Sequence, residues 1–493
     1  MIIQGGMGIG ISGWQLARAV SRQGQLGVVA GTALASTLVR RLQLGDPGGH
    51  LRQALDAFPV RDMAQRILRR YFRGDGSAPD RTVRHPLPAL RMPQRLLELT
   101  VVANFAEVFL ARQGHDGPVG VNLLEKVQLP TLASLFGAML AGVDYVLMGA
   151  GIPRAIPGVL DGLARHEPVS LALDVAGARP GERFETTLNP ADLVPHPAAA
   201  PKRPKFLAIV SSHTLALTLA RKSSGRVDGF VVEGPTAGGH NAPPRGALTL
   251  DDAGEPVYGP RDTPDLARIR ELGVPFWLAG SYGRPGGLRR ALDQGAAGIQ
   301  VGTAFAFCEE SGMDAALRRR VLAASRTGAL DVRTDVRASP TGFPLKVIEL
   351  ADTLSRPEVY RERPKICDLG YLRQAYRRDD GKVGFRCPGE PEAEYLAKGG
   401  DPAEIDGRKC VCNGLMTTAG LPTQQKQGYL EPALVTAGTD ARDVAAYLAP
   451  GAEAYTAADV IRRLLEPSGG TCAGPAGGLD AAAGARPADA GAA

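Results

Sequence analysis

The stretch Gly229-Phe230-Val231-Val232-Glu233-Gly234-Pro235-Thr236-Ala237-Gly238-Gly239-His240-Asn241 joins a strand signal to a ligand-loop signal. Residues 229–232 form an apolar run of the kind that makes a buried strand. The loop behind it carries glycines at 234, 238 and 239, where backbone N–H groups can approach a flat or anionic ligand closely. His240 follows at once, so its ring is expected to sit over whatever the loop holds. Imidazole is the side chain best suited to give or take a proton near neutral pH. Taken alone, the stretch is equally a glycine-rich turn with a capping histidine. The rest of the chain decides between the two.

Outward from it, strand and helix signals alternate. Upstream strands are expected at residues 2–4, 26–30, 118–123, 144–148 and 206–210, and downstream ones at 275–279 and 298–301. Residues 169–174 are a further candidate, but Arg183-Phe184-Glu185-Thr186-Thr187-Leu188 can pair back on them as a hairpin. Setting that element aside leaves eight apolar strands alternating with helices over about 300 residues, the pattern of a (β/α)8 TIM barrel. A doubly wound sheet is the alternative. The strand ends favour the barrel: Gln4, Asn122, Ser211, Glu233, Gly280 and Gly302-Thr303 put polar or glycine residues at one end of nearly every strand. A barrel brings all such ends to one site. Gly280-Ser281 and Gly302-Thr303 follow strands seven and eight, where barrels commonly hold a phosphate. The formal G-x-G-x-x-G at Gly8, Gly10 and Gly13 is not a dinucleotide fingerprint. The first acid after it is Asp46, well past the expected position.

The fold class is thus α/β, a (β/α)8 barrel built from residues 1–34 and 116–325. Residues 35–115 are expected as a helical insertion, either a cap over the pocket or plain elaboration of the helical ring, and 326–465 as a C-terminal extension. Residues 466–493, rich in Ala, Gly and Pro, are expected to be disordered. The 493 residues, with 44% apolar and 22% charged content, are those of a soluble globular protein. A net charge of +6 without a basic block argues for no nucleic-acid partner. No apolar run is long enough for a membrane span, and no signal peptide is visible, so a cytoplasmic location is expected.

The motifs Ile2-Ile3-Gln4-Gly5-Gly6-Met7-Gly8, Val121-Asn122-Leu123, Glu233 to Asn241, Leu278-Ala279-Gly280-Ser281 and Gln300-Val301-Gly302-Thr303-Ala304-Phe305 resemble those of the nitronate monooxygenases, once called 2-nitropropane dioxygenases. The same superfamily includes FMN-dependent enoyl-acyl-carrier-protein reductases. The resemblance runs from residue 1 to about residue 315 and implies FMN as cofactor. By position it implies Gln4, Gly5, Gly6 and Met7 along the flavin ring, and Asn122 and Ser212 at the ring or ribityl chain. It implies backbone contacts from Ala237, Gly238 and Gly239, a phosphate site at Gly280, Ser281, Gly302 and Thr303, and His240 as the catalytic histidine. The implied reaction is oxidation of an alkyl nitronate by O2. Its partners are a small-molecule substrate and O2, without nucleic acid or membrane, and a homodimer is one state it allows. The family usually has Gly-Gly-Ile where this chain has Gly280-Ser281-Tyr282. Two other readings stay open: NAD(P)H-dependent reduction of an enoyl thioester on the same flavin, and a non-catalytic flavin or metal carrier subunit.

Residues 360–425 hold Cys367, Cys387, Cys410 and Cys412. Four thiols can bind zinc or an iron–sulfur cluster, but a C-x-C pair fits no standard finger, and reduced, partly buried thiols explain them as well. Cys308 is expected to serve packing. His50, His85, His115, His166, His196 and His213 are expected in solvated or capping positions, with His85 able to reach the pocket.

Overall fold

The computed structural model describes residues 1–78, 80, 82–195, 200–423, 425 and 428–466. The segment 467–493, within the tail read as disordered, lies outside the described residues, as does His196.

The eight expected strands form one parallel sheet. They are β1 (Ile2–Gln4), β2 (Gly27–Ala30), β3 (Val119–Leu124), β4 (Tyr145–Gly149), β5 (Lys205–Val210), β6 (Gly229–Glu233), β7 (Phe276–Ala279) and β8 (Gly298–Val301). Each pairs with its neighbour in sequence, and β1 pairs with β8. Ile3 bridges Leu26, and the Gln4 N–H donates to the Leu26 carbonyl at 2.9 Å, which closes the (β/α)8 barrel. Ile3, Val28, Leu147, Leu207, Val231 and Trp277 fill the interior. Ile2, Val29, Val121, Val146, Phe206, Phe230 and Ile299 pack outward beneath the helices. Burial on both faces is why these strands are continuous apolar runs in sequence. Residues 169–172 stay out of the barrel and pair antiparallel with 185–188, as the hairpin reading expects.

The helical ring includes α1 (Trp14–Ser21), then α2 (Leu34–Gln43), α3 (His50–Asp56), α4 (Arg61–Tyr71) and α5 (Gln94–Ala111) between β2 and β3. α5 touches α1, α2, β2 and β3, and it packs broadly on α6 (Thr131–Leu140). It is buried nearly all round, so it shows no single apolar stripe. Its buried Glu107 is paired with Arg41 and accepts the Trp14 N–H at 2.9 Å. Among the described residues of 35–115, none lines the central cavity. The segment thickens the ring rather than capping the pocket, because its apolar faces find partners on α1 and α6.

The chain beyond 326 folds back over the C-terminal mouth of the barrel. Residues 345–349 lie between 331–335 and the short strand Gly239–His240, with His240 opposite Leu345. The helix Val411–Thr418 and the segment 436–440 complete the mouth, and the helix Ala457–Leu465 packs against α1. No helix among the described residues is long and apolar enough to cross a membrane.

Candidate functional site

The strand ends surround a cavity with about 1540 Å³ of free space, its open mouth included. Gly5, Gly6, Met7, Asn122, Ala237, Gly238, Gly239, Gly280, Ser281, Gly302, Thr303 and His240 all line it. Gln4 and Ser212 do not. The Gln4 side chain is fully buried and turns into the wall. There its amide oxygen accepts the Val28 N–H at 2.9 Å and its amide nitrogen donates to Ser12 Oγ at 2.9 Å. It pins the first loop to the second strand. The Ser212 hydroxyl caps the helix α8 (His213–Lys222), accepting the Leu215 N–H at 3.1 Å, as an N-cap serine does.

Close backbone approach explains the glycines. A Cβ on Gly6 would lie 2.3 Å from Asn122 Cβ, and one on Gly238 would lie 2.6 Å from the Gly438 nitrogen. Gly239 has φ of +79° and faces open space. Across the cavity, Gly280 and Ser281 hold left-handed φ values of 87° and 58°. Gly302 and Thr303 open the short helix α11 (Thr303–Ala306), whose first N–H groups have no intrahelical acceptor. Among the described residues, no Lys or Arg lines the cavity. Donors there for an anionic group are therefore backbone amides and hydroxyls. The Asp440 carboxylate at this end is offset by Arg284, 3.6 Å away.

His240 is held from one side by the extension. Its Nε2 is 2.7 Å from Ser339 Oγ, which in turn lies 2.8 Å from Thr341 Oγ1. The Phe343 ring meets the imidazole edge-on at 6.5 Å. Burial pushes the imidazole down to about 4, so it is neutral at neutral pH. Glu233, at the end of β6, moves the other way: burial raises its carboxyl to about 7. Among the described residues its side chain accepts one hydrogen bond, from Gln300 Nε2 at 3.4 Å to Oε1, and Gln300 Oε1 is buried without a hydrogen-bond partner there. Glu233 and His240 both also line a second cavity, bounded by Ile152, Leu215, Arg245, Tyr258 and Phe343. They stand in the wall between the two spaces. Between about pH 4 and about pH 7 both are neutral, one able to accept a proton and the other to donate one.

Glu233 was quoted in the central motif without a role. An acid at the C-terminal end of a barrel strand was the available signal. Ser339, which holds His240, lies in Ser339-Pro340-Thr341-Gly342-Phe343-Pro344, where the family resemblance implies a substrate-side loop, whereas Tyr371, Cys412 and Gly438, which line the cavity, follow no pattern that marks them. His85 does not line the cavity. It lies behind it, 2.7 Å from Ser36 Oγ, which is 3.0 Å from the Tyr371 hydroxyl. His50 starts α3 and packs on Trp14 at 4.9 Å. Cys367, Cys387, Cys410 and Cys412 surround one small cavity. Among the described residues no group of three or more His, Cys, Asp or Glu is placed to hold a metal ion. Cys308 is buried with its thiol on the Phe305 carbonyl at 3.2 Å, a packing position.

Residues 195–359 match the family model of nitronate monooxygenase. A Mycobacterium tuberculosis protein, (3aS,4S,5R,7aS)-5-hydroxy-7a-methyl-1-oxo-octahydro-1H-indene-4-carboxyl-CoA dehydrogenase, is 28% identical over 236 residues, 44% of this chain and 62% of its own. The nitronate monooxygenase of Pseudomonas aeruginosa is 33% identical over 151 residues, 27% of this chain and 40% of its own. The chain therefore spans less than two thirds of the length of these curated relatives. Among solved structures, FabK from Thermotoga maritima aligns over 94% of this chain and 91% of its own, at 16% identity and a TM-score of 0.45.

Proposed function

We propose, from the premise that residues 195–359 belong to the nitronate monooxygenase family, that the protein is an FMN-dependent oxidoreductase that oxidises alkyl nitronates with O2. The observation that carries this reading is a cavity edged by glycine backbone with a buried neutral histidine in its wall.

The residues present fit the cofactor. Gly5, Gly6, Met7 and Asn122 offer a flat edge for the ring. Ala237, Gly238 and Gly239 approach without side chains in the way, and Gly280, Ser281, Gly302 and Thr303 offer amides and hydroxyls to the phosphate. When bound, FMN supplies the electron transfer from the substrate carbanion to O2. His240 supplies orientation and proton handling. A base held down to about 4 is poorly matched to deprotonating a neutral nitroalkane at pH 7. It is well matched to hydrogen-bonding an anion that arrives already deprotonated, and such an anion raises the histidine's own affinity for a proton. Ser339 fixes the ring so that this contact needs no reorganisation.

Glu233 sets a pH limit. As its carboxyl ionises, near pH 7, a negative charge appears in the wall that faces the anionic substrate. The expected result is a kcat/KM for propyl-2-nitronate that falls above about pH 7, by up to about tenfold per pH unit. Glu233→Gln removes that fall. A wild-type profile flat from pH 6 to 9 contradicts the role given to Glu233.

The second cavity, on the other side of His240, favours one alternative, reduction of a thioester by NAD(P)H, since it leaves room for a second reactant. Anaerobic mixing of the FMN-loaded protein with propyl-2-nitronate or with NADPH separates the two. Loss of flavin absorbance with nitronate and none with NADPH supports the oxidation, and fast loss with NADPH alone selects the reductase. A preparation that takes up no FMN overturns both.

A further inference from the structure

Four of the five described cysteines, all free thiols, meet around one small cavity: Cys367, Cys387, Cys410 and Cys412. It holds about 300 Å³ of free space, its opening included. No three of these thiols are placed to hold a metal ion. The chemistry left to thiols packed together is that of a pair.

One pair is close. The Cys367 and Cys387 thiols lie close enough to act on each other's ionisation, and Arg373 acts on Cys367 in the same direction as Cys387 does. Cys367 is partly exposed and Cys387 is buried. Cys410 is engaged elsewhere: its sulfur lies 3.4 Å from Asn413 Nδ2 and 3.8 Å from the Ile366 carbonyl. Cys412 faces the central cavity as well as the small one. The interaction with Cys387 lowers the pKa of the Cys367 thiol, and the same interaction raises that of Cys387. The pair thus divides into a nucleophile that small oxidants can reach and a buried thiol behind it, the usual arrangement of an attacking and a resolving cysteine.

We propose that Cys367 and Cys387 form an oxidation site at which hydrogen peroxide converts two thiols into a disulfide. The Cys367 thiolate attacks one peroxide oxygen. The O–O bond breaks, Cys367 becomes a sulfenic acid, and hydroxide leaves. The Cys387 sulfur then attacks the Cys367 sulfur, forming the S–S bond. The sulfenic oxygen, with the hydrogen it already carries, leaves as water on taking the Cys387 proton, and the hydroxide from the first step is neutralised by solvent. Each sulfur loses one electron and the peroxide gains two. A reducing thiol reverses the change by exchange.

The bond would close a loop that contains the hairpin of residues 374–377 and 383–386. It also contains Tyr371 and Leu372, which line the central cavity. Oxidation therefore fastens one wall of the cofactor site. Cys412 lies between the two cavities, so peroxide formed in the larger one has a short route to the pair.

The test treats the full-length reduced protein with a small excess of hydrogen peroxide, blocks remaining thiols with N-ethylmaleimide under denaturing conditions, and maps the digest by mass spectrometry. The expected result is two fewer blocked thiols and a cross-linked peptide joining Cys367 to Cys387, lighter by two hydrogens and lost on treatment with dithiothreitol. In Cys387→Ser, dimedone then labels Cys367. A cross-link to Cys410 or Cys412 overturns the proposal, as does peroxide-treated folded protein with both thiols still free. Stoichiometric zinc or iron in the purified protein overturns it too. If Cys387→Ser fails to fold, the wild-type cross-link alone decides.

Discussion

His240→Ala lowers turnover of propyl-2-nitronate by about 10²- to 10⁴-fold, the usual contribution of a positioned acid–base group, and leaves FMN bound. The binding is spared because the contacts assigned to FMN come from glycine backbone and from loops on the other strands. The imidazole carries the effect because it is the group in the cavity wall that is neutral at pH 7, buried and fixed, with Ser339 Oγ 2.7 Å from Nε2 and Phe343 against its edge. Steady-state kinetics beside a flavin titration check this. Unchanged turnover with full flavin occupancy removes the histidine from the mechanism. Loss of flavin as well shows that the ring is part of the cofactor's cradle.

Arg363→Met destabilises the fold by about 3–5 kcal/mol, the scale for breaking a buried ion pair on one side. Arg363 and Glu431 are 0% and 1% exposed and 2.7 Å apart. Burial already holds the Glu431 carboxyl up at about 7 against the attraction of its partner. Without the guanidinium it has nothing to offset the lost hydration, and it takes up a proton instead. An acid whose affinity for protons is higher folded than unfolded costs stability only where the unfolded chain is ionised. The wild type carries the same cost up to about pH 7, so the loss in the variant relative to wild type is constant below about pH 7 and grows above it. Urea unfolding at pH 5 and pH 8 reads both parts of the expectation. Equal losses at the two values contradict the account. The effect reaches the site because Arg363 Nη1 also donates to the Arg408 carbonyl at 3.3 Å, and Arg408 Nη1 donates to the carbonyl of Ser339 at 2.7 Å. Ser339 is the residue that holds His240.

The barrel was legible in the sequence because its physics is local. Each strand is a short apolar run buried on both faces, and each ends in a glycine or polar residue that the site requires. The glycine loops were legible for the same reason, since Gly6 and Gly238 stand where no other residue fits. Gln4 was placed in the site by its position in a motif. Position along a strand end does not say which way a side chain turns, and the glutamine amide satisfies buried polar groups in the wall instead. Ser212 was misplaced for a related reason: a serine before a helix has a competing use at the first turn. The extension was the least legible part. Tyr371, Leu372, Cys412 and Gly438 reach the cavity singly, from segments far apart in sequence, and no periodicity marks a residue that contributes one side of a wall. For the segment 35–115, length alone left a cap and an elaboration of the ring both open, and its apolar faces are taken up by neighbouring helices.

The Gly438 N–H donates to Thr303 Oγ1 at 2.9 Å, and the Thr439 N–H to the Thr236 carbonyl at 3.1 Å. These two bonds tie the Thr236 and Thr303 end of the cavity to chain made well over a hundred residues later. During synthesis, all eight barrel strands can leave the ribosome and pair while this side of the cavity is still missing. On the proposed reading, flavin uptake at this site is a late event in the protein's biogenesis, and a bound cofactor would report that the chain has been made past Thr439 and has docked.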